Sequence, residues 1–143
     1  MENSPNIWWI YALLSAFFAA LTTIFAKIGI ENIDANLATA VRTVVIVLFA
    51  WGIVLAQGNI SQITTLSART LIFLGISGIA TGLSWIFYFQ ALQLGRAAQV
   101  APIDKSSVIL VILFSAIFLQ EPLTFNVILG GLLISIGTLV LVL

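Results

Sequence analysis

The sequence predicts an all-α membrane protein with five transmembrane helices. Of its 143 residues, 62% are apolar and only 7% are charged, whereas soluble globular domains have roughly 45–50% and about 25%. The mean hydropathy is +1.22, and the apolar residues are gathered in stretches long enough to cross a bilayer as helices. Five basic and five acidic side chains cannot cover the surface of a water-soluble domain. The composition therefore excludes a soluble domain, and it excludes intrinsic disorder, which requires low hydrophobicity and high net charge.

Each predicted helix occupies one apolar stretch of the chain. A span needs about 20 apolar residues, and its main chain must form its own hydrogen bonds within lipid. The first stretch opens with Trp8, Trp9 and Tyr11, which is typical of a membrane interface. It is expected to be a retained span, because the basic residues of a secretory signal do not precede it. The predicted spans, which form a single transmembrane domain over residues 1–143, are residues 7–29, 37–56, 71–94, 97–119 and 125–143.

Short polar segments separate the spans. Asp34 and Asn36 are both candidate N-caps for the second helix. The longest connection, residues 57–70, is rich in serine and threonine. Gly95 is expected to end the third helix, and Thr124 is expected to cap the fifth.

The basic residues outside the spans favour one orientation only weakly. Five spans place the two ends of the chain on opposite sides of the membrane. Lys27 and Arg96 then lie on the side of the C-terminus, while Glu2 and Arg69 lie on the other side. Basic residues are enriched in cytoplasmic loops, so the C-terminal side is expected to be cytoplasmic, with a small bias.

Charged residues within or beside the spans are candidates for a gate or a structural ion pair. Asp104 is predicted to bind a substrate or coupling ion, or to be buried against Arg42 or Lys105 in at least one state. Lys105 points about 100° away from Asp104 on a helix, which favours a different partner for its ammonium group. Lys27 and Glu31, spaced i and i+4 at the end of the first span, form an interfacial pair or a gate.

Small and polar residues are arranged on separate helix faces. The third and fifth spans carry glycines that favour close helix packing, namely Gly75, Gly78, Gly82, Gly130, Gly131 and Gly137. A second face of the third span carries hydroxyl groups, which line a polar pathway or bond to their own helix. The predicted substrate-binding side chains are Thr22, Ser77, Thr81, Ser84, Trp85, Tyr88, Asp104, Ser107 and Ser115.

Several function classes are disfavoured by the residues that are missing. The chain has no cysteine and no histidine, which removes thiolate ligands, cysteine nucleophiles and imidazole acid–base chemistry. No nucleophile–base pair or cluster of metal ligands is visible, so we expect neither an enzyme nor a metal or other cofactor. Zero net charge argues against a nucleic-acid partner. The first span has no carboxylate at its centre, which argues against an antiporter driven by one there.

Three segments resemble a known family. They are the run Ala-Leu-Gln-Leu-Gly-Arg-Ala-Ala-Gln-Val-Ala-Pro at residues 91–102, the turn Glu-Pro-Leu-Thr at 121–124, and Gly130-Gly131 followed by Gly137. In this order the segments resemble one five-span EamA-type repeat of the drug/metabolite transporter superfamily, over essentially the whole chain. The resemblance implies transport of small metabolites, amino acids or drugs, often outward, with the substrate held between two inverted repeats.

These observations together predict a transporter subunit that works as a dimer by alternating access. The expected function is efflux of a small metabolite or drug. The expected location of the protein is the inner membrane of a prokaryotic cell. An antiparallel homodimer is favoured, because an odd number of spans inverts a fused second repeat. A parallel dimer and a pair with a related second protein are the alternatives. The alternative function is a non-transporting membrane subunit that stabilises a partner or a lipid-handling complex.

Overall fold

The computed structural model describes residues 7–143, and its regular structure over that range is helical throughout. Glu2, one of the charges expected on the N-terminal side, lies outside the described residues. Five segments are long and apolar enough to cross a membrane, which confirms the predicted fold class. The helices are α1 (Trp8–Gly29), α2 (Ala35–Ala56), α3 (Ala68–Leu94), α4 (Ala97–Lys105), α5 (Ser107–Phe118) and α6 (Phe125–Val142), with a 3₁₀ helix at Asn59–Thr65.

Side-chain caps determine where two of the helices begin. The Asp34 carboxylate accepts hydrogen bonds from the main-chain N–H groups of Asn36, at 2.9 Å, and Leu37, at 3.0 Å. These bonds satisfy donors that the first turn of α2 cannot pair internally, so Asp34, rather than Asn36, is the cap. Thr124 Oγ1 accepts from the N–H of Val127 at 3.4 Å and caps α6, as predicted.

The fourth apolar segment contains a break that the sequence pattern does not predict. It consists of α4 and α5, which meet at Ser106. Pro102 lies inside α4 and has no N–H to donate. The Ser106 N–H is shared between the carbonyls of Pro102, at 3.1 Å, and Ile103, at 3.0 Å. Its hydroxyl also donates to Ile103 O, at 2.6 Å. One tight turn of 3₁₀ type therefore follows Asp104 and Lys105.

The chain forms two compact units. The first contains residues 94–143 together with the described part of the N-terminal segment, residues 7–24. Within it, α6 packs against α4 and α5. A Cβ atom added to Gly131 of α6 would lie 3.3 Å from Ile112 Cδ1 of α5, so α5 and α6 approach closely at that glycine. Thr138 Oγ1 donates to the Pro102 carbonyl at 3.5 Å.

The second unit, residues 25–93, contains most of the buried side chains. It includes the last turn of α1, all of α2 and most of α3. Phe89 is 2% exposed and Leu92 is fully buried, and both lie near the C-terminal end of α3. The buried set in this unit is Ile30, Ala35, Thr39, Tyr88, Phe89 and Leu92. The remaining apolar side chains of its helices are mostly exposed, as expected for surfaces that face lipid.

Candidate functional site

An arginine of α2 is stacked on an aromatic cluster of α3. The Arg42 guanidinium carbon lies 3.5 Å from the centroid of the Trp85 ring and 5.8 Å from that of Phe89. Trp85 is in edge contact with Tyr88, with centroids 5.5 Å apart and planes at 84°, and its ring lies 5.7 Å from Phe89. We call Trp85, Tyr88 and Phe89 the aromatic cluster. Tyr88 and Phe89 lie three and four residues after Trp85, so both flank it on one face of α3.

The position of Arg42 makes its charge significant. Arg42 lies seven residues after Ala35, the first residue of α2, which places it about 10 Å along the helix. A guanidinium at this depth of a span is costly and normally has a counter-charge or faces a polar cavity. The structure describes every residue from 25 to 93. Within this range Arg42 contacts aromatic rings and has no hydrogen-bond or ion-pair partner. Its N–H donors are therefore left without an acceptor inside this unit.

The end of the same unit is held together by side chains that bond to the main chain. Lys27 Nζ donates to the Leu92 carbonyl. Gln93 Nε2 donates to the carbonyls of Ile30, at 3.3 Å, and Ile33, at 2.6 Å. The i, i+4 spacing of Lys27 and Glu31 predicted a pair or gate formed by these two side chains. It did not predict the Leu92 carbonyl as a partner of Lys27. Gln93 was not singled out from the sequence, and the only signal for it was a polar side chain at the end of an apolar span.

A pocket opens beside these bonds. Its volume is about 490 Å³, and its lining combines charged, polar and apolar side chains. Lys27 and Glu31, the predicted gate or ion pair, both contribute to it. The full lining is Lys27, Ile30, Glu31, Asn32, Ile33 and Gln93.

In the first unit, Asp104 and Lys105 form an ion pair. Lys105 Nζ lies 3.2 Å from Asp104 Oδ2, and the side chains of Lys105 and Asp104 are 63% and 34% exposed, respectively. The angular offset between adjacent helical residues favoured different partners, but the long lysine side chain spans that offset at the end of α4. The sequence predicted that Asp104 is buried against Arg42 or Lys105; the contact with Lys105 is present, but both side chains are partly exposed.

The remaining predicted binding side chains are divided between the units, and some hydroxyls bond to their own helix. Thr81 Oγ1 donates to the Ser77 carbonyl at 2.8 Å, and Ser115 Oγ donates to Ile112 O at 3.1 Å. The Thr81 bond matches the alternative given for the third span, in which a hydroxyl bonds to its own helix, and the Ser115 bond is of the same kind. Thr22, Asp104, Ser107 and Ser115 belong to the first unit. Ser77, Thr81, Ser84, Trp85 and Tyr88 belong to the second, where Trp85 and Tyr88 meet Arg42.

The glycines differ in what surrounds them. Gly131 is close to Ile112, as described above, whereas a Cβ atom on the other five predicted packing glycines would meet open space within 4 Å. Close packing at Gly75, Gly78, Gly82, Gly130 and Gly137, within the chain or between copies, therefore stays a prediction. In the part of the chain that the structure describes, acidic side chains form no group of three or more that could hold a metal ion.

Comparison with known proteins points to one family. The model of the EamA-like transporter family matches residues 6–143. The chain is 48% identical over 134 residues to an uncharacterized transporter in the cobO 3' region of Sinorhizobium sp, and the match covers 94% of this chain and 95% of that protein. It is 30% identical over 138 residues to the uncharacterized protein MJ1333.1 of Methanocaldococcus jannaschii, covering 92% and 93% of the two chains.

A longer relative matches over only part of its length. The uncharacterized transporter YvbV of Bacillus subtilis is 30% identical over 133 residues, which cover 92% of this chain and 43% of YvbV. No solved structure matches.

Proposed function

This chain belongs to the EamA-like transporter family, and we propose that two copies of it, inserted in opposite orientations, form one pathway for the efflux of small metabolites or drugs. The chain is an integral membrane protein with five segments able to cross a bilayer. The proposed location is the inner membrane of a prokaryotic cell, which the bacterial relatives support.

The observation that carries this proposal is how little one chain encloses. In each candidate span, at most 6% of the residues in the most apolar 18-residue stretch are buried inside the chain. Five helices with such open faces need a second set of helices to surround a solute in a water-filled pathway. The match to 43% of YvbV supports this reading, because the longer protein has room for a second unit of this size.

Opposite insertion follows from the number of spans. When a five-span unit is duplicated and fused, the second copy is inverted automatically, so two separate copies must insert in opposite directions to build the same object. A pathway made in this way has the pocket lined by Lys27 and Glu31 once near each membrane face. Rocking of one copy against the other then opens the pathway to one side at a time.

Accessibility of the hydroxyl face of α3 distinguishes a transporter from a non-transporting subunit. The chain has no cysteine, so single cysteines can be introduced at Thr81 and Ser84 without background labelling. Matched controls are cysteines at Ile79 and Leu83, which lie on other faces of α3 and are 68% and 52% exposed. A water-soluble thiol reagent is expected to label the first pair faster, because thiols in lipid react slowly. Equal, slow labelling at all four positions would contradict a polar pathway along this face.

A further inference from the structure

We propose that the Arg42 guanidinium, stacked on Trp85, binds the carboxylate of the transported solute, so that the substrates are small organic acids with an apolar or aromatic body. This inference rests on the proposed transport function and names its substrate class.

The guanidinium of Arg42 lies over an aromatic ring. Its carbon is 3.5 Å from the Trp85 centroid, so the ring contributes a cation–π attraction. At this distance a steeply tilted guanidinium would push a nitrogen into the ring, so the two planes lie roughly parallel. The N–H donors of a guanidinium lie in its plane, at its edge. Stacking therefore fixes the orientation of Arg42 while leaving those donors for a planar, bidentate acceptor such as a carboxylate.

The charge of Arg42 is not balanced within its unit. Within residues 25–93, Arg42 has no acidic partner. Lys27, a second basic residue of this unit, donates to a main-chain carbonyl. In the first unit, Asp104 is already paired with Lys105. One cation in the aromatic environment of α2 and α3 is best neutralised by a ligand with a single negative charge, because a dianion would leave a buried excess charge.

An apolar surface surrounds the guanidinium. Tyr88 and Phe89 are buried, whereas Trp85 is only half-buried. The accessible part of the Trp85 ring is therefore the aromatic surface that a ligand can contact beside Arg42. A carboxylate joined to an aromatic or aliphatic body matches both features, while a cation would be repelled by Arg42.

Three probes with the same body test the class of ligand. Phenylacetate, 2-phenylethanol and 2-phenylethylamine differ in charge but share a phenyl ring, and their binding to the purified protein in a maltoside detergent can be measured by calorimetry. The expected result is that phenylacetate binds most tightly. Arg42→Gln should weaken phenylacetate about tenfold or more, as expected for a lost charge-assisted hydrogen bond, and leave 2-phenylethanol unchanged.

Two further variants make the test specific. Arg69→Gln is a matched control, because the Arg69 guanidinium also lies near a ring, 5.9 Å from the Phe73 centroid. Arg69 is at the start of α3, away from the aromatic cluster in sequence. Phenylacetate should therefore bind this variant as it binds the unmodified protein. Arg42→Lys keeps the charge without the planar fork and should weaken phenylacetate by a smaller factor. This variant also decides the question if Arg42→Gln does not fold.

Several outcomes would overturn the proposal. They are absence of phenylacetate binding to the unmodified protein, tighter binding of 2-phenylethylamine, and equal weakening by Arg69→Gln. Binding of a short-chain phosphatidylglycerol that Arg42→Gln abolishes, without any binding of phenylacetate, would assign Arg42 to a lipid phosphate instead.

A vesicle measurement separates this inference from the proposed function. Counterflow of labelled phenylacetate is compared between vesicles with the protein and vesicles without it. Specific counterflow that Arg42→Gln abolishes supports both proposals. Arg42-dependent binding without counterflow supports the carboxylate site and contradicts transport, whereas counterflow of 2-phenylethylamine that Arg42→Gln leaves unchanged supports transport and contradicts the carboxylate site.

Discussion

The side-chain amide of Gln93 donates to the Ile33 main-chain carbonyl over 2.6 Å, which ties the last turn of α3 to the connection between α1 and α2. A second bond from the same amide reaches Ile30 at 3.3 Å. The buried side chains Phe89 and Leu92 lie on the adjoining turns of α3. These bonds therefore close the end of the unit that also holds Arg42 and the aromatic cluster.

Replacing Gln93 with alanine should destabilise the protein. Gln93→Ala removes two hydrogen bonds to carbonyls, and a typical one contributes about 1 kcal/mol to stability. The expected loss is about 1 kcal/mol or slightly more, since the side chain is partly exposed, and it can be measured as the free energy of unfolding in detergent. Gln90→Ala, at an exposed position one turn earlier, is the matched control and should change stability by less than about 0.5 kcal/mol. Equal effects of the two substitutions would show that the bonds to the turn contribute nothing.

The ion pair between Asp104 and Lys105 should appear as a coupling in a double-mutant cycle. The variants are Asp104→Asn, Lys105→Gln and their combination, compared by thermal stability. Each single change leaves one charge without its partner, so the double change should cost less than the sum of the two. Because both side chains are partly exposed, the expected coupling is about 1 kcal/mol or less. Strictly additive losses of stability would show that the contact between Asp104 and Lys105 contributes no coupling energy.

The glycines of α6 should separate folding from assembly. A leucine at Gly131 would push against Ile112, which already lies 3.3 Å from the position of a Cβ atom, so Gly131→Leu should cost about 1–3 kcal/mol of stability. Gly137 has open space around it, so Gly137→Leu should leave the stability of one chain unchanged. If Gly137 packs against a second copy, the same variant should shift the protein from dimer to monomer in size-exclusion chromatography with light scattering. Unchanged size would place Gly137 outside any interface between copies.

Much of the fold could be predicted from the sequence, because lipid leaves an apolar chain few choices. Each long apolar stretch must be a helix to pair its own N–H and C=O groups. The caps Asp34 and Thr124 follow from local chemistry that acts within three residues. For the same reason, the start of α2 was ambiguous only between two neighbouring polar residues.

The candidate site depends on packing, which sequence periodicity does not determine. Periodicity places Trp85 and Phe89 on one face of α3, but it does not say that Arg42 of α2 lies over that face. The break at Ser106 was missed for a similar reason, since a proline in a span can be accommodated by a kink or by a local tight turn. The partner of Gln93 could not be found from spacing, because the two bonded groups are 60 residues apart.

The central claim is that this chain inserts in both orientations and pairs with an inverted copy. A single cysteine at Gln62, in the exposed 3₁₀ helix Asn59–Thr65, reports the side on which that connection lies. Intact cells are treated with a membrane-impermeant thiol reagent, and the remaining cysteines are then labelled with a permeant reagent after lysis. The dual-topology account predicts that comparable fractions react in the two steps. Reaction of all the protein in one step would show a single orientation and contradict the antiparallel homodimer.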